Sequence, residues 1–156
     1  MGKKRGVSPV VATVLLVAIV IVIALIIFLW FKELKGETCT KFDQNIELSC
    51  GNVEFLGDYN NGELYISNTG NVPIFGMKVK VIGIASHKTF DLNDSFGWPA
   101  LGLNQGEAFS GDIISKITSD TNSIVLIPTL MGSCGNEGDK VYMCNEANNG
   151  FEINIG

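Results

Sequence analysis

From residue 7 to residue 31 the chain reads VSPVVATVLLVAIVIVIALIIFLWF without one ionisable side chain, and beyond residue 36 the apolar residues thin into short runs separated by Gly, Asn, Asp and Pro. The first stretch predicts one helix. At about 1.5 Å per residue it reaches about 37 Å, enough to cross a hydrocarbon core of about 30 Å with some tilt. A lone segment satisfies its own backbone groups in lipid only as a helix, so the abundance of Val and Ile does not argue for a strand. Ser8 followed by Pro9 suits an N-cap and first helical position, Lys32 and Lys35 suit the carboxyl end of the dipole, and Gly36 suits a terminator. The expected helix is therefore 7–36.

The remaining pattern is β. Residues 37–61 read as a transition with one weak strand over 45–55, broken at Ser49-Cys50-Gly51-Asn52. Residues 63–67 alternate, Asn68-Thr69-Gly70-Asn71 is turn chemistry, and a strand restarts at Pro73 and runs through 77–82, which together predict a hairpin. Lys78 and Lys80 share one face of that second strand while Met77, Val79 and Val81 share the other, the mark of a sheet with one wet side. Further strands are expected over 88–92, 108–114, 123–130, 141–143 and 151–155, and no amphipathic helix stands out after Gly36. Short strands with turns every ten residues or so predict an immunoglobulin-like antiparallel sandwich. The fold class is thus α+β, a long N-terminal transmembrane or filament-core helix followed by an all-β domain over 37–156.

Charge narrows the partners. From Glu37 onward fifteen Asp or Glu face six Lys, whereas the first thirty-six residues hold five basic groups and one acid. An acidic exterior excludes nucleic acid, whose phosphates require the opposite sign. The basic run Lys3-Lys4-Arg5 before the apolar stretch places the amino end in the cytoplasm and the bulk of the chain outside. All four cysteines, Cys39, Cys50, Cys134 and Cys144, then lie in an oxidising space and read as two disulfides. Pairing of Cys39 with Cys50 and Cys134 with Cys144 is the favoured expectation, each closing a loop of about ten residues worth about 2–3 kcal/mol. The crossed pairings, Cys39 with Cys144 and Cys50 with Cys134, or Cys39 with Cys134 and Cys50 with Cys144, stay open. Zinc is disfavoured because no Cys-x-x-Cys occurs and the single histidine, His87, is remote in sequence.

Catalytic sets are not evident. His87 has no nucleophile motif beside it, and Asp91-Leu92-Asn93-Asp94-Ser95 departs from a calcium loop with Phe96 at the sixth position and Gly102 at the twelfth. The expectation is no enzyme activity, no cofactor and no metal. Asn93-Asp94-Ser95 is a glycosylation sequon in an expected exterior loop. Phe96 and Trp98 in the same loop suit either an adhesive patch or a cover for the open end of the sandwich.

The apolar stretch is too long for a conventional secretory signal and lacks an Ala-x-Ala after it. The segment Lys3-Lys4-Arg5-Gly6-Val7-Ser8-Pro9-Val10-Val11 instead resembles the class III signal peptide of archaeal type IV pilins and archaellins. The resemblance implies recognition at Lys4 and Arg5, cleavage by a prepilin peptidase between Gly6 and Val7, and retention of the apolar segment. The bacterial members of this pattern carry a glutamate at the fifth mature position, where this chain has Val11. Leu64-x-Ile66-x-Asn68-Thr69-Gly70 with its following Pro73, and the later Leu103-Asn104-Gln105-Gly106-Glu107 corner, are similar to sandwich domains of archaeal surface and filament proteins.

The resemblance implies a signal peptide over 1–6, an assembly helix over 7–36 and an extracellular domain over 37–156. It implies a pilin, a structural subunit of an archaeal type IV pilus-like filament serving adhesion. The precursor would span the membrane once, with its amino end cytoplasmic, and the mature form would stand on the cell surface. Its partners would be its own copies along helix 7–31, the membrane, the peptidase and the pilus assembly machinery. The rival expectation is a non-polymerising membrane-anchored binding module, archaellum-associated or similar to a minor pilin.

Overall fold

The computed structural model describes residues 9–36, 39–92, 94–135 and 138–155. The chain divides into two compact units, Met1–Thr38 and Cys39–Gly156. In the first, α1 (Pro9–Gly36) is one helix, opening on the proline whose missing N–H costs nothing there. Thr13, a polar side chain inside the apolar stretch, turns its Oγ1 back to donate to the Val10 carbonyl at 2.9 Å. Its hydroxyl is thereby satisfied within its own turn.

The second unit holds two antiparallel sheets. In chain order its elements are β1 (Thr40–Lys41), β2 (Gln44–Asn45), α2 (Ile46–Cys50), β3 (Phe55–Asn60), β4 (Glu63–Asn68), β5 (Gly76–Gly83), β6 (His87–Leu92), β7 (Ala108–Asp112), β8 (Thr121–Ser133), β9 (Asp139–Met143), α3 (Glu146–Asn149) and β10 (Phe151–Asn154). One sheet runs β2-β1-β8-β5-β6, with β9 and β10 also bonded to β8; the other runs β3-β4-β7. β8 is the axis of the larger sheet. It pairs with β5 along one edge, and with β10 and then β9 along the other. A strand hemmed on both edges and covered on both faces must be apolar throughout, and residues 123–130 are all buried.

Val79 and Val81 lie opposite Leu126 and Ile124 on one face of that sheet, and they share a core with Leu64 and Ile66 of β4 and Phe109 of β7. Trp98 joins this core, donating its indole N–H to the Phe75 carbonyl at 2.9 Å with its ring 5.0 Å from that of Phe109. Leu130 belongs to a second core with Ile46, Cys50, Val72 and Cys144. β8 therefore runs beneath two cores, one roofed by the smaller sheet and one by α2.

The antiparallel class matches the alternating pattern, but the pairing of strands differs from it. β4 and β5 do not form a hairpin: they lie in different sheets, and the turn between them is a crossover. The hairpin is β3–β4, closed at Asn61 and Gly62 with φ of 51° and 96°. That is the Asn-Gly signal of a two-residue turn, which tolerates left-handed backbone at both positions. The weak strand expected over 45–55 is instead α2 and a turn. Asn45 caps α2 by accepting from the Glu47 N–H at 3.0 Å, and Asn145 caps α3 from the Ala147 N–H at 2.9 Å. Helices of five and four residues are too short to show a periodic apolar face.

The crossover is built on Asn68, which is fully buried. Its Nδ2 donates to the carbonyls of Val72 and Leu103, both at 3.0 Å, and its Oδ1 accepts from the Gly70 N–H at 3.1 Å. Its backbone N–H donates to the Glu107 carbonyl and its own carbonyl accepts from Gly106. The two motifs at 64–70 and 103–107, far apart in sequence, are thus one hydrogen-bonded knot. Gly102, at φ 78°, lets the second motif pass so close that a Cβ there would lie 2.2 Å from the Ile74 oxygen.

Asn68→Ala removes three buried hydrogen bonds and leaves the Val72 carbonyl without a partner, while Leu103 and Gly70 keep their backbone bonds to Ile74 and Glu54; it should cost about 1–3 kcal/mol in urea unfolding of the oxidised protein. A loss below about 0.5 kcal/mol would show that the knot does not hold the crossover.

Candidate assembly helix and the cross-linked domain

The side chains of α1 fall into no polar and apolar halves. Val10, Leu16, Ile26, Phe28 and Trp30 all stand more than half exposed, and none of the span Pro9–Lys32 is buried. Ala12, Ala18 and Ala24 are spaced by six residues, a turn of about 240° each time, so they notch three sides of the helix and do not form one stripe. A helix that is apolar on every side requires an apolar environment on every side. By length and composition it suits membrane insertion, as an anchor or as a signal sequence. Lys4, Arg5, Gly6, Val7 and Ser8 lie outside the described residues.

In the second unit the cysteines do not pair with their neighbours in sequence. The bridges are Cys39–Cys134 and Cys50–Cys144. The expected short loops are overturned for a topological reason. Cys39 directly precedes β1, whose Thr40 pairs with Ser133 at the end of β8, so Cys134 is the sulfur within reach. Cys50, at the end of α2, lies under β8 in the second core with Cys144, whose N–H donates to the Pro128 carbonyl at 3.0 Å. Both bridges fasten the segment just after α1 to the last third of the chain.

Disulfides of this kind are consistent with a domain outside the cytoplasm. They also change the energetics. Closing a loop of 95 residues is worth about 4–5 kcal/mol in the chain-entropy account. With that bridge in place, the other spans only about twenty residues by the shortest path and adds about 3 kcal/mol.

The remaining sites from the sequence do not converge. His87 opens β6 opposite Ile82 and is exposed. Asp91 is a residue of β6, and its carboxylate meets the Lys78 ammonium at 2.7 Å in a solvent-facing pair worth at most about 1 kcal/mol. Leu92 is core, so the segment that resembles part of a calcium loop begins inside a strand. Asn93 lies outside the described residues. Phe96 stacks near Phe90 with centroids 5.4 Å apart and Trp98 is buried, so this loop closes the core and does not present an aromatic patch.

Two features had no counterpart in the sequence reading. Lys41, half-buried, points its Nζ at the carbonyls of Pro73 and Met131 at 3.4 and 3.3 Å, and burial lowers its pKa from the ordinary lysine value. Phe42 and Asp43, at φ 54° and 61°, form the two-residue tip of the β1–β2 hairpin. The signal for that hairpin is weak because its strands are two residues long and its tip carries neither Asn nor Gly.

Comparison of the chain with protein-family models, curated proteins and solved structures finds no match in any of the three.

Replacing Cys50 and Cys144 together by Ala should lower stability by about 3 kcal/mol, and replacing all four cysteines by about 8 kcal/mol. Peptide mapping without reduction should recover Cys39 joined to Cys134. A peptide joining Cys39 to Cys50 would contradict the fold.

Proposed function

We propose that the chain is a pilin, a structural and non-catalytic subunit of an archaeal type IV pilus-like filament, made as a membrane precursor and assembled through its apolar helix. The observation that carries this reading is the absence of any polar side on α1 together with the basic, Gly-terminated, Ser-Pro-opened segment in front of it. An anchor needs apolar cover only for as long as it stays in lipid. A filament core gives the same cover from neighbouring helices, with small residues allowing close approach on several sides. Moving from lipid into such a core gains packing and not escape from water, so extraction would require an energised assembly machine.

The acidic second unit, with its own cores and two disulfides, suits an exterior domain exposed along the filament surface, serving adhesion. The immunoglobulin-like assignment is part of this proposal and is supported by two antiparallel sheets sharing one core.

The processing step is directly testable. Protein from surface fibres sheared off native cells should begin at Val7, and Gly6→Leu should leave the uncut precursor in the membrane fraction with no fibres. A mature chain beginning downstream of residue 31 would contradict the proposal, because the assembly helix would have been discarded.

A further inference from the structure

A concavity of about 790 Å³ in the second unit lies where four separate loops meet, and its rim is made of amides and one exposed ring. The β1–β2 hairpin brings Phe42 and Gln44, the turn after α2 brings Asn52 and Glu54, the crossover brings Asn71, and the corner before β7 brings Gln105. The floor is rigid. Thr69 and Gly70 both donate backbone N–H groups to the Glu54 carbonyl, at 3.1 and 2.8 Å, and the Cys50–Cys144 bridge anchors the neighbouring turn.

The side-chain amides of Gln44, Asn71 and Gln105 have no protein partner among the described residues. An amide offers two donors and an acceptor in one plane, which matches hydroxyl groups that themselves both donate and accept. Among the described residues no cation lines the cleft, and Lys41, next to Phe42 in the chain, directs its ammonium at backbone carbonyls. Glu54 adds an acceptor and repels anions. An anionic ligand is thereby disfavoured, and a neutral polyhydroxylated one is favoured.

Phe42 supplies the apolar half of the match. Its side chain is 60% exposed and takes no part in either core, while its backbone sits at φ 54°, where an aromatic residue is strained and Asn would be relaxed. The Lys41 ammonium lies 5.6 Å from the ring centroid, within cation–π range. An aromatic kept where the backbone prefers Asn, and adding nothing to packing, marks a local rule broken for use. A half-free ring is a platform for the C–H face of a sugar.

We propose that this cleft binds a neutral oligosaccharide, with Phe42 stacking on a sugar ring and Gln44, Asn71, Gln105 and Glu54 bonding its hydroxyls. The volume lies within the ordinary range for ligand sites and has room for a few sugar units. The proposal does not depend on filament assembly, since all of its residues belong to the second unit.

The test uses the full chain in lipid nanodiscs, free of sugar detergents, titrated calorimetrically with cello-, malto-, manno- and chitotetraose, and with a sulfated counterpart of each. At least one neutral tetrasaccharide should bind with a Kd of about 10 μM to 1 mM, and the affinity should hold when salt is raised from about 0.1 to 1 M. Phe42→Asn should weaken that binding at least about tenfold while leaving the melting temperature unchanged or higher, and Asn71→Ala with Gln105→Ala should weaken it similarly. Absence of heat for every neutral tetrasaccharide at about 10 mM would overturn the proposal, as would undiminished binding by Phe42→Asn. A preference for the sulfated sugars, or heat from a neutral peptide pool in place of the sugars, would also overturn it.

Discussion

The helix α1 buries none of its own apolar span Pro9–Lys32. Eighteen large apolar side chains stand about half exposed or more on every side of it. Burying them is worth on the order of 30 kcal/mol, against the roughly 5–15 kcal/mol that holds a typical domain together. The helix requires apolar surroundings, and the absence of any charge from residue 7 to residue 31 suits it to membrane insertion, as an anchor or as a signal sequence.

The second unit answers a different requirement. Its long strand β8 underlies both cores, and the two bridges tie the stretch beginning at Cys39 to the regions after β8 and β9. A pull applied at Cys39 therefore reaches the end of the central strand through a covalent bond, without first loading the short β1–β2 hairpin or α2. The same bridges hold the turn after α2 still, which is what gives the polar cleft a fixed floor.

Much of this was legible in the residues, and what was not has identifiable causes. The apolar helix is unmistakable because period and composition agree over its whole length. The strands from β4 onward follow from alternation, and β8 from an unbroken apolar run. Strand partnership was misread at 63–82 because Asn68-Thr69-Gly70-Asn71 carries hairpin chemistry, whereas Asn68 uses its amide to knot a crossover between sheets. The true hairpin signal, Asn61-Gly62, sat next to it. Disulfide partners were misjudged because proximity in sequence stood in for proximity in space. The antiparallel pairing of β1 with β8 brings Cys39 to Cys134 across almost the whole domain. The cleft was invisible because it is assembled from four loops, each unremarkable by itself.

The account stands or falls on what surrounds α1 in the mature protein. Helical image reconstruction of fibres sheared from native cells addresses this directly. It should show an axial bundle of helices corresponding to residues 7–31, each ringed by copies of itself, with the cross-linked domains outside. Fibres whose core contains no such helices, or a chain found wholly in the membrane fraction with lipid around α1, would contradict it.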